Sequence, residues 1–153
     1  MTRKLTAVAT RIAAGSRERP ALGNLSIRRD WGWAPDYVEE AMWKMLQCDQ
    51  PDDFVVASGV AHSLEEFVAT AFAAVGLNWR DHVDCDSSLV QSRDIMWSLG
   101  DPEGGAGAPL ALTVKLPEIV ARMVRAEPEG ADKVRYRAQV VSCKFGRVPT
   151  RRA

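Results

Sequence analysis

With 153 residues, the chain is long enough for one domain with a sizeable core and short for two. A hydrophobic content of 46% and a charged content of 26% are typical of globular proteins and argue against a disordered chain. The formal net charge of +0 is unevenly distributed, because residues 1–30 carry +5, residues 31–127 carry −10 and residues 128–153 carry +5. A basic N-terminal stretch suits an anionic ligand, although a solvated charged surface explains most of these residues equally well.

The cysteine content and the lengths of the apolar runs indicate the cellular compartment of the protein. Cys48, Cys85 and Cys143 are odd in number and lack a paired spacing, which argues against a disulfide framework and for a reducing compartment. No run of 18 apolar residues occurs, and the N-terminus lacks the apolar core of a signal peptide. These features predict a cytoplasmic protein with no membrane partner.

The first predicted element is a helix from Met1 to Gly15, with Thr2 as a plausible N-cap and Gly15 as its stop. Its apolar residues on one face are Leu5, Val8, Ala9 and Ile12. Arg3 and Lys4 lie in the first turn, where the positive end of the helix dipole disfavours them. Either the two basic side chains are simply an unfavourable feature of a surface turn, or a bound anion offsets their repulsion by the helix dipole.

Two short strands and a second helix are predicted next. Ala21–Leu22 and Ile27–Asp30 are extended segments separated by a turn at Gly23–Asn24. Pro35 suits the first turn of a helix that runs to about Leu46. The apolar residues of this helix recur at helical spacing and are predicted to face the core: Tyr37, Val38, Ala41, Met42, Met45 and Leu46.

Arg28 and Arg29 are adjacent in the second extended segment. Neighbouring side chains of a strand point to opposite faces, so one arginine faces solvent or pairs with an acid while the other points inward. An inward guanidinium needs a carboxylate or a phosphate partner, and it binds either in a bidentate manner. An internal salt bridge to Asp30 or Asp36 and an anionic ligand explain the pair equally well.

The middle of the chain predicts a strand and the clearest helix. Phe54–Ala57 is a short apolar run expected to form a buried strand parallel to others. Ser63–Glu66 has the form of a capping box, and the helix that it begins ends at Gly76. The apolar positions of this helix are Leu64, Phe67, Val68, Ala71, Phe72 and Val75.

The remaining segments are less regular. A short strand is expected within His82–Asp86, and Ile95–Leu99 is weakly apolar. Asp101–Pro109 is a glycine-rich linker, and a last helix begins at Pro117. The residues that this helix buries are Leu116, Ile119, Val120, Met123 and Val124. Pro128–Ala153 has one short β-like run followed by basic residues, so we expect a loosely held tail.

Four other kinds of site find little support. His82 and Cys85 form one loose His-x-x-Cys pair instead of the two compact pairs typical of zinc, so no metal site is predicted. No G-x-S-x-G is present for a serine hydrolase, and the glycines at 104–107 lack the strand-to-helix context of a dinucleotide loop. The basic tail has no interleaved aromatic residues, so nucleic acid is not predicted as a partner.

Several longer motifs occur in order along the chain. They are MTRKL from Met1, LGNL from Leu22, RDWG from Arg29, DYV from Asp36, AMW from Ala41, PDDFV from Pro51, ASG from Ala57, HS from His62 and NWRDHV from Asn78. The series resembles the C-terminal half of the GDP-mannose 4,6-dehydratase family. The resemblance covers roughly residues 1–127 and is specific, because several long motifs share the family's order. Residues 128–153 form a divergent basic tail outside it.

This resemblance implies an α/β fold with α+β character. The chain would be the small C-terminal substrate-binding part of an extended short-chain dehydrogenase/reductase, with helices, few short strands and the Rossmann domain missing. In that family the Rossmann domain binds NADP and the C-terminal part binds the GDP-sugar. The reaction oxidises C4 of GDP-mannose, removes water across C5 and C6 and returns the hydride to C6. The implied partners are GDP-mannose or a related GDP-sugar, and an N-terminal Rossmann half or further copies of the chain.

The resemblance also implies the substrate-binding residues. Arg29 matches the arginine that binds the pyrophosphate, and Lys4 matches a basic position near the diphosphate. Asp94 falls where the family has an acidic residue near the guanosine. The residues that match the segment lining the nucleotide pocket are Leu22, Gly23 and Asn24.

The chain departs from the family pattern in three places. Gln91-Ser92 stands where the family has Arg-Pro, and one lost charge-assisted contact costs ~1.5–3 kcal/mol of binding free energy. One residue is inserted at Glu39-Glu40, which would rotate the following helix by about 100° unless the helix absorbs it at its N-terminus. Neither Tyr37 nor Tyr136 is followed four residues later by lysine, and no catalytic residue is predicted.

Two hypotheses follow. In the first, the chain is the substrate-binding part of a GDP-mannose dehydratase from a split or truncated gene, and it is inactive alone. In the second, it is a non-catalytic remnant or a partner-dependent nucleotide-binding module. In either case the face left by the missing domain should be apolar and prone to self-association.

Overall fold

The computed structural model describes residues 1–50, 52–90, 95–102 and 110–127. Helices and short strands alternate in this part of the chain, so the predicted α/β content is confirmed. The elements in chain order are α1 (Thr2–Ala13), β1 (Ala21–Leu22), β2 (Arg28–Asp30), a π-helix (Asp36–Met42), α2 (Trp43–Met45), β3 (Val56–Ala57), β4 (Ala61–Ser63), α3 (Leu64–Ala73), β5 (Asp84–Cys85), β6 (Trp97–Ser98), β7 (Leu110–Ala111) and α4 (Leu116–Ala126). Short 3₁₀ turns lie at Trp79–Asp81 and Ser87–Leu89.

Helix α1 forms because its apolar residues recur on one face, and it buries Leu5, Ala9 and Ile12. Gly15 follows its C-terminus with a φ of 99°, a conformation that favours glycine, so the predicted stop is confirmed. The predicted N-cap is wrong. Met1 occupies that position because the helix already includes Thr2, and no side chain caps this end.

Strand β2 is the centre of a three-stranded sheet with the order β4-β2-β6. β4 runs antiparallel to β2 and places His62 opposite Arg29, while β6 runs parallel and places Ser98 opposite Arg29. The other two sheets are parallel pairs, β1 with β5 and β3 with β7. The parallel strand predicted at 54–57 is therefore confirmed in its direction, and within β3 Ala57 is the buried residue.

The core lies between α1, α3 and α4. Its largest fully buried side chains are Phe67, Phe72, Val68, Val120 and Thr6. Burial of each large apolar side chain contributes ~1.5–3 kcal/mol to the stability of the fold. Trp31 packs against this core from just beyond β2, since its ring centroid lies 5.1 Å from that of Phe67. The core therefore reaches the strand that carries the arginine pair.

Helix α3 begins with the predicted capping box. The Ser63 hydroxyl accepts a hydrogen bond from the Glu66 backbone N–H at 3.1 Å, and the Glu66 carboxylate accepts one from the Ser63 N–H at 3.4 Å. The helix buries five of the six predicted apolar residues, and Val75 is partly buried against the same core. Both the start and the buried face of α3 are thus confirmed.

Helix α4 starts at Leu116, one residue before the predicted Pro117. Its buried residues are Leu116, Ile119 and Val120, while Met123 and Val124 are partly buried. Leu116 and Val120 belong to the core cluster that α1 and α3 form. Residues 116–126 are therefore part of the same folded unit as the N-terminal helices.

The segment after the Asp-Trp-Gly corner differs from the prediction. It forms the π-helix and the short α2 instead of one regular α-helix. Of its predicted core residues, Ala41 is buried, whereas Val38, Met42 and Leu46 are 59%, 54% and 78% exposed. The prediction of a core face fails because π-helical hydrogen bonds join residue i to i+5, which shifts the side chains out of α-helical register. An i-to-i+5 turn also holds one residue more than an α-helical turn, as the predicted insertion at Glu39-Glu40 requires.

Candidate anion-binding site

The candidate site is built on β2, where the chain turns at the Asp-Trp-Gly corner. Arg28 lines a pocket on one face of the strand together with Glu66, and Arg29 lines another pocket together with Trp31. This separation follows from the alternation of side chains along a strand. The predicted division of the two arginines between opposite faces is confirmed.

Arg28 is the arginine with a protein partner. Its Nη2 lies 3.5 Å from Glu66 Oε1 and donates a hydrogen bond to the backbone oxygen of Ala61 at 3.0 Å. Its guanidinium carbon lies 5.4 Å from the centre of the Trp97 ring. These contacts hold the side chain half-buried against α3 and β6, so Arg28 is the arginine of the pair that has an acidic partner.

The two acids predicted as possible internal partners have other roles. Asp30 accepts hydrogen bonds from the Ser58 backbone N–H and hydroxyl and from the Gly59 N–H. Asp36 is buried and accepts one from the Val114 N–H at 3.1 Å. In the part of the chain that the structure describes, neither carboxylate pairs with an arginine. The salt bridge to Asp30 or Asp36 is therefore not the explanation of the arginine pair.

Arg29 lines a pocket of about 470 Å³ beside the start of α1. The other lining residues are Met1, Thr2, Ile27, Asp30, Trp31 and Leu64. Arg29 Nη1 donates to the backbone oxygen of Arg28 at 2.8 Å, and no acid within residues 1–50, 52–90, 95–102 and 110–127 forms an ion pair with it. A guanidinium has five N–H donors, so Arg29 retains donors for an external acceptor.

The N-terminus of α1 borders this pocket through Met1 and Thr2. No side chain caps the helix, and its first turn contains no acid. The first backbone N–H groups of a helix lack an intrahelical partner, and the helix dipole makes this end positive. Arg3 pairs with Glu127 at 3.4 Å, while Lys4 is exposed one turn from the pocket. The arrangement suits a phosphate or a carboxylate.

The predicted nucleotide segment lies elsewhere. Leu22 pairs with Cys85 in the β1–β5 sheet, and a Cβ on Gly23 would lie 3.0 Å from the backbone of Leu89. Gly23 therefore permits a close approach between this segment and the 3₁₀ turn at Ser87–Leu89. None of these contacts brings the segment into the pocket of Arg29.

Asn24 has protein partners on both sides of its amide. Its Oδ1 accepts from the Ser26 backbone N–H at 2.9 Å, and its Nδ2 lies 3.3 Å from the sulfur of Met96. These contacts stabilise the turn before β2 and hold it against the chain that leads into β6. The predicted role of Asn24 in nucleotide binding stays a prediction.

Some predicted residues lie outside the described ranges. Asp94 and the Gln91 departure fall between residues 90 and 95, and most of the glycine-rich linker falls between 102 and 110. The basic tail at 128–153 is also outside them. The predictions for these residues stay predictions.

Among the described residues, Arg29 is the one predicted site residue that lines this pocket, and the six other lining residues were absent from the predicted site: Met1, Thr2, Ile27, Asp30, Trp31 and Leu64. Periodicity assigns Leu64 to the core, and no local pattern shows that the starts of α1 and α3 meet at β2. Trp31 carries one usable signal. Because residues i and i+2 of an extended segment share a face, it is expected on the same side as Arg29.

Other ligand classes fit the described residues poorly. Within those ranges no group of three or more His, Cys, Asp or Glu side chains is placed to hold a metal ion. The glycines with positive φ are Gly15, Gly59 and Gly76, and none lies between a strand and the start of a helix, so the described residues do not form a dinucleotide loop for NADP. No helix in this part of the chain is long and apolar enough to cross a membrane. The cytoplasmic location stays a prediction.

Part of this sequence is similar to known proteins. A family model described as GDP-mannose 4,6 dehydratase matches residues 1–102. GDP-mannose 4,6 dehydratase 1 of Arabidopsis thaliana is 46% identical over 101 residues, which are 66% of this chain and 28% of that protein. GDP-mannose 4,6 dehydratase of Homo sapiens is 51% identical over 76 residues, which are 50% of this chain and 20% of that protein. The enzyme of the same name from Dictyostelium discoideum is 46% identical over 86 residues, 55% of this chain and 24% of that protein.

The chain therefore spans about a quarter of the length of these relatives. The family match covers α1, β2 and α3, and with them every described residue of the Arg29 pocket. It ends at residue 102, before α4, so the part of the predicted resemblance beyond that residue stays a prediction. The chain belongs to the GDP-mannose 4,6 dehydratase family.

Proposed function

We propose that this chain supplies the part of a GDP-mannose 4,6-dehydratase that binds the diphosphate of GDP-mannose or a related GDP-sugar. The observation that carries the proposal is the position of Arg29. It lines a pocket beside the uncapped N-terminus of α1 and has no acidic partner in the described part of the chain. A guanidinium with free donors beside a pocket binds phosphate oxygens through charge-assisted, often bidentate hydrogen bonds.

Each group around the pocket makes a different contribution to the binding of the diphosphate. Arg29 supplies a planar fork of donors that matches two phosphate oxygens. The first N–H groups of α1 offer further donors to the same anion, and Lys4 contributes a mobile positive charge from the first turn. Trp31 and Leu64 give the pocket apolar walls, which exclude water and strengthen these charge-assisted contacts.

The relatives are named GDP-mannose 4,6 dehydratases, and the resemblance described above implies NADP as the hydride carrier. The residues described here bind and orient; they do not form the NADP site. Burial, and then the nearby charge of Asp30, raise the pKa of the Tyr37 hydroxyl above its ordinary value, and Tyr37 is not followed four residues later by lysine. We therefore assign the chemical steps to another part of the enzyme.

Calorimetric titration with GDP-mannose tests this proposal. We expect the natural chain to bind, and Arg29→Ala to weaken binding by about ten- to a hundred-fold, as loss of one charge-assisted contact requires. Arg28→Ala is the matched control, because it removes the same group from the opposite face of β2. Equal losses in the two variants, or no heat from the natural chain at millimolar ligand, would show that Arg29 does not bind the diphosphate.

We also infer that the exposed apolar face of the π-helix and α2 is where the rest of a dehydratase packs. The large residues that define this face, called here the apolar helix face, are Val38, Met42, Trp43 and Leu46. All four side chains are more than half exposed within nine residues of the chain, and soluble proteins usually cover a large exposed apolar patch with a partner. The Arabidopsis relative has about three quarters of its length outside the matched stretch, so other residues of that protein are available to cover the apolar helix face.

Mixing experiments distinguish this partner from a second copy. We expect the chain to bind a separately produced Rossmann part of the Arabidopsis relative, and Trp43→Ser to weaken that complex. Trp97→Ser is a matched control, since Trp97 is 57% exposed and Trp43 is 63% exposed. A concentration-dependent dimer of the natural chain that Trp43→Ser dissociates, without binding to the Rossmann part, would instead identify a second copy as the partner.

A further inference from the structure

Within the described residues, the carboxylate of Asp30 is held by hydrogen bonds to a turn instead of by an ion pair. Its two carboxylate oxygens accept hydrogen bonds from three donors of one turn: the Ser58 N–H at 3.1 Å, the Ser58 hydroxyl, and the Gly59 N–H at 3.1 Å. Gly59 has a φ of 71°, which lets the turn curl around the carboxylate. The turn at 58–60 joins β3 to β4 and is therefore fastened to the last residue of β2.

The turn that Asp30 holds leads directly into β4, the strand that pairs with β2 beside Arg29. β4 starts at Ala61, opposite Asp30, and its next residue, His62, is opposite Arg29. Arg29 Nη1 donates to the backbone oxygen of Arg28 at 2.8 Å, so the direction of its guanidinium depends on the backbone geometry of β2. Loss of the Asp30 contacts would free the end of β2 from the turn, and the backbone that carries Arg29 would then be free to move relative to Met1, Thr2 and Leu64, which line the same pocket.

Asp30 also lines the pocket of Arg29, where a free carboxylate would repel an anion. Its three donors disperse that negative charge. A lysine or arginine partner would serve the same purpose, but it would compete with the ligand for space. Backbone and hydroxyl donors fasten the turn without filling the pocket.

We propose that Asp30 is a positioning residue, which fixes the guanidinium of Arg29 for the bound anion by holding the Ser58–Gly59 turn against the end of β2. This inference rests on the proposed function of Arg29 as the diphosphate ligand. Asp30 itself does not contact the anion. In Asp30→Asn an amide NH₂ replaces one accepting oxygen, so at least one of the three donors loses its partner.

The experiment measures Arg29 both with and without ligand. The ligand-free readout is the ¹⁵N NMR signal of the Arg29 Nε–H, assigned by its loss in Arg29→Ala. We expect Asp30→Asn to move this signal toward that of an unstructured arginine and to weaken GDP-mannose binding by about tenfold or more, as misplacement of a binding group does. The matched control is Asp53→Asn, an exposed aspartate that should change neither quantity.

A double variant separates positioning from stability. If Asp30 acts through Arg29, Asp30→Asn should add nothing to the loss of affinity in the Arg29→Ala background. Ser58→Ala removes one of the three donors and should shift the same NMR signal in the same direction by less, which provides a milder variant if Asp30→Asn does not fold. An unchanged Arg29 signal in the folded variants would overturn the proposal. If the signal moves but the natural chain does not bind GDP-mannose, Asp30 positions Arg29 and the proposed function fails.

Discussion

Gly32 and Tyr37 pack so closely that residue 32 has no room for a side chain. A Cβ at this position would lie 2.6 Å from Tyr37 Cε2 and 2.7 Å from the Tyr37 hydroxyl oxygen. It would also lie 2.2 Å from Leu112 Cδ1, on the chain between β7 and α4. The Asp-Trp-Gly corner therefore joins β2 to the π-helix and to the C-terminal part of the core through a contact that only glycine allows.

Gly32→Ala should destabilise the fold by ~1–3 kcal/mol, as overpacking of a tight contact does. Because Leu112 is the nearest neighbour, the cost should fall in a Leu112→Ala background, which opens space on one side. Unfolding in urea, followed by tryptophan fluorescence, measures both quantities. If Gly32→Ala unfolds at the same urea concentration as the natural chain, the contact is looser than the distances indicate.

Local patterns were sufficient for the helices of the core. The apolar spacing of α1 and α3 places their buried residues correctly, because those helices pack against apolar neighbours along their whole length. The capping box of α3 depends on residues three apart in sequence, so it too is visible without the fold. Strands β1, β2, β3 and β5 were predicted near their observed positions, whereas β4, β6 and β7 were not predicted as strands. Of the strand pairing, only the parallel direction of β3 was predicted.

The site depends on contacts between distant residues, and the sequence alone does not determine those. Glu66 is the partner of Arg28, and no local pattern distinguishes it from Asp30 or Asp36, which are closer in sequence. The pocket of Arg29 forms where β2 meets the start of α1. Its anion-binding interpretation came from the basic first turn of α1 and from the family resemblance, and the described geometry agrees with both.

The predicted burial of the apolar residues after Pro35 is wrong because that prediction assumed a regular α-helix. The spacing from Tyr37 to Leu46 suits an α-helix, but the π-helix gives the stretch a different repeat. Ala41 alone of the predicted core set is fully buried. A pattern that assumes 3.6 residues per turn cannot place side chains correctly across such a turn.

Deletion of Glu39 should convert the π-helix into a regular α-helix. A turn that closes between i and i+5 becomes one that closes between i and i+4 when one residue is removed. We expect the variant to fold, with unfolding free energy equal to or above that of the natural chain and a larger helical signal in circular dichroism at 222 nm. The measurements are a urea titration and a far-UV spectrum at matched concentration.

Deletion of Thr70 provides the control for this experiment. Thr70 lies in the regular helix α3, so its loss rotates the following residues by about 100° and carries Ala71 and Phe72 out of the core. Misplacement of one large buried side chain already costs ~3–5 kcal/mol, and this variant should not fold stably. Equal losses of stability in the two deletions would show that the π-helix does not accommodate an extra residue.

The last prediction concerns Glu66, which joins the capping box of α3 to Arg28. A hydrogen bond with His62, whose Nδ1 lies 2.9 Å from Oε2, is the main cause that lowers the pKa of this carboxyl, and the Ser63 N–H and the charge of Arg28 lower it further. Since the pKa in the folded chain lies below the ordinary value of 4.5, the unfolded chain takes up the proton first. The stabilisation is therefore complete above pH 4.5 and disappears as the pH falls through the lower, folded value.

Glu66→Gln removes this pH-dependent contribution. We expect the variant to unfold more easily than the natural chain at pH 7, and the difference between their unfolding free energies to narrow below pH 4.5. His62→Ala removes the main cause of the lowered pKa. In that background Glu66→Gln should cost less stability at pH 7, and the narrowing should still start near pH 4.5 but end at a higher pH, which a merely structural effect of the histidine would not do. The measurement is a set of urea titrations between pH 3 and pH 7. A difference that stays constant over this range would mean that Glu66 has the same pKa in the folded and unfolded chains, and that its contacts with His62 and Arg28 do not stabilise its charge.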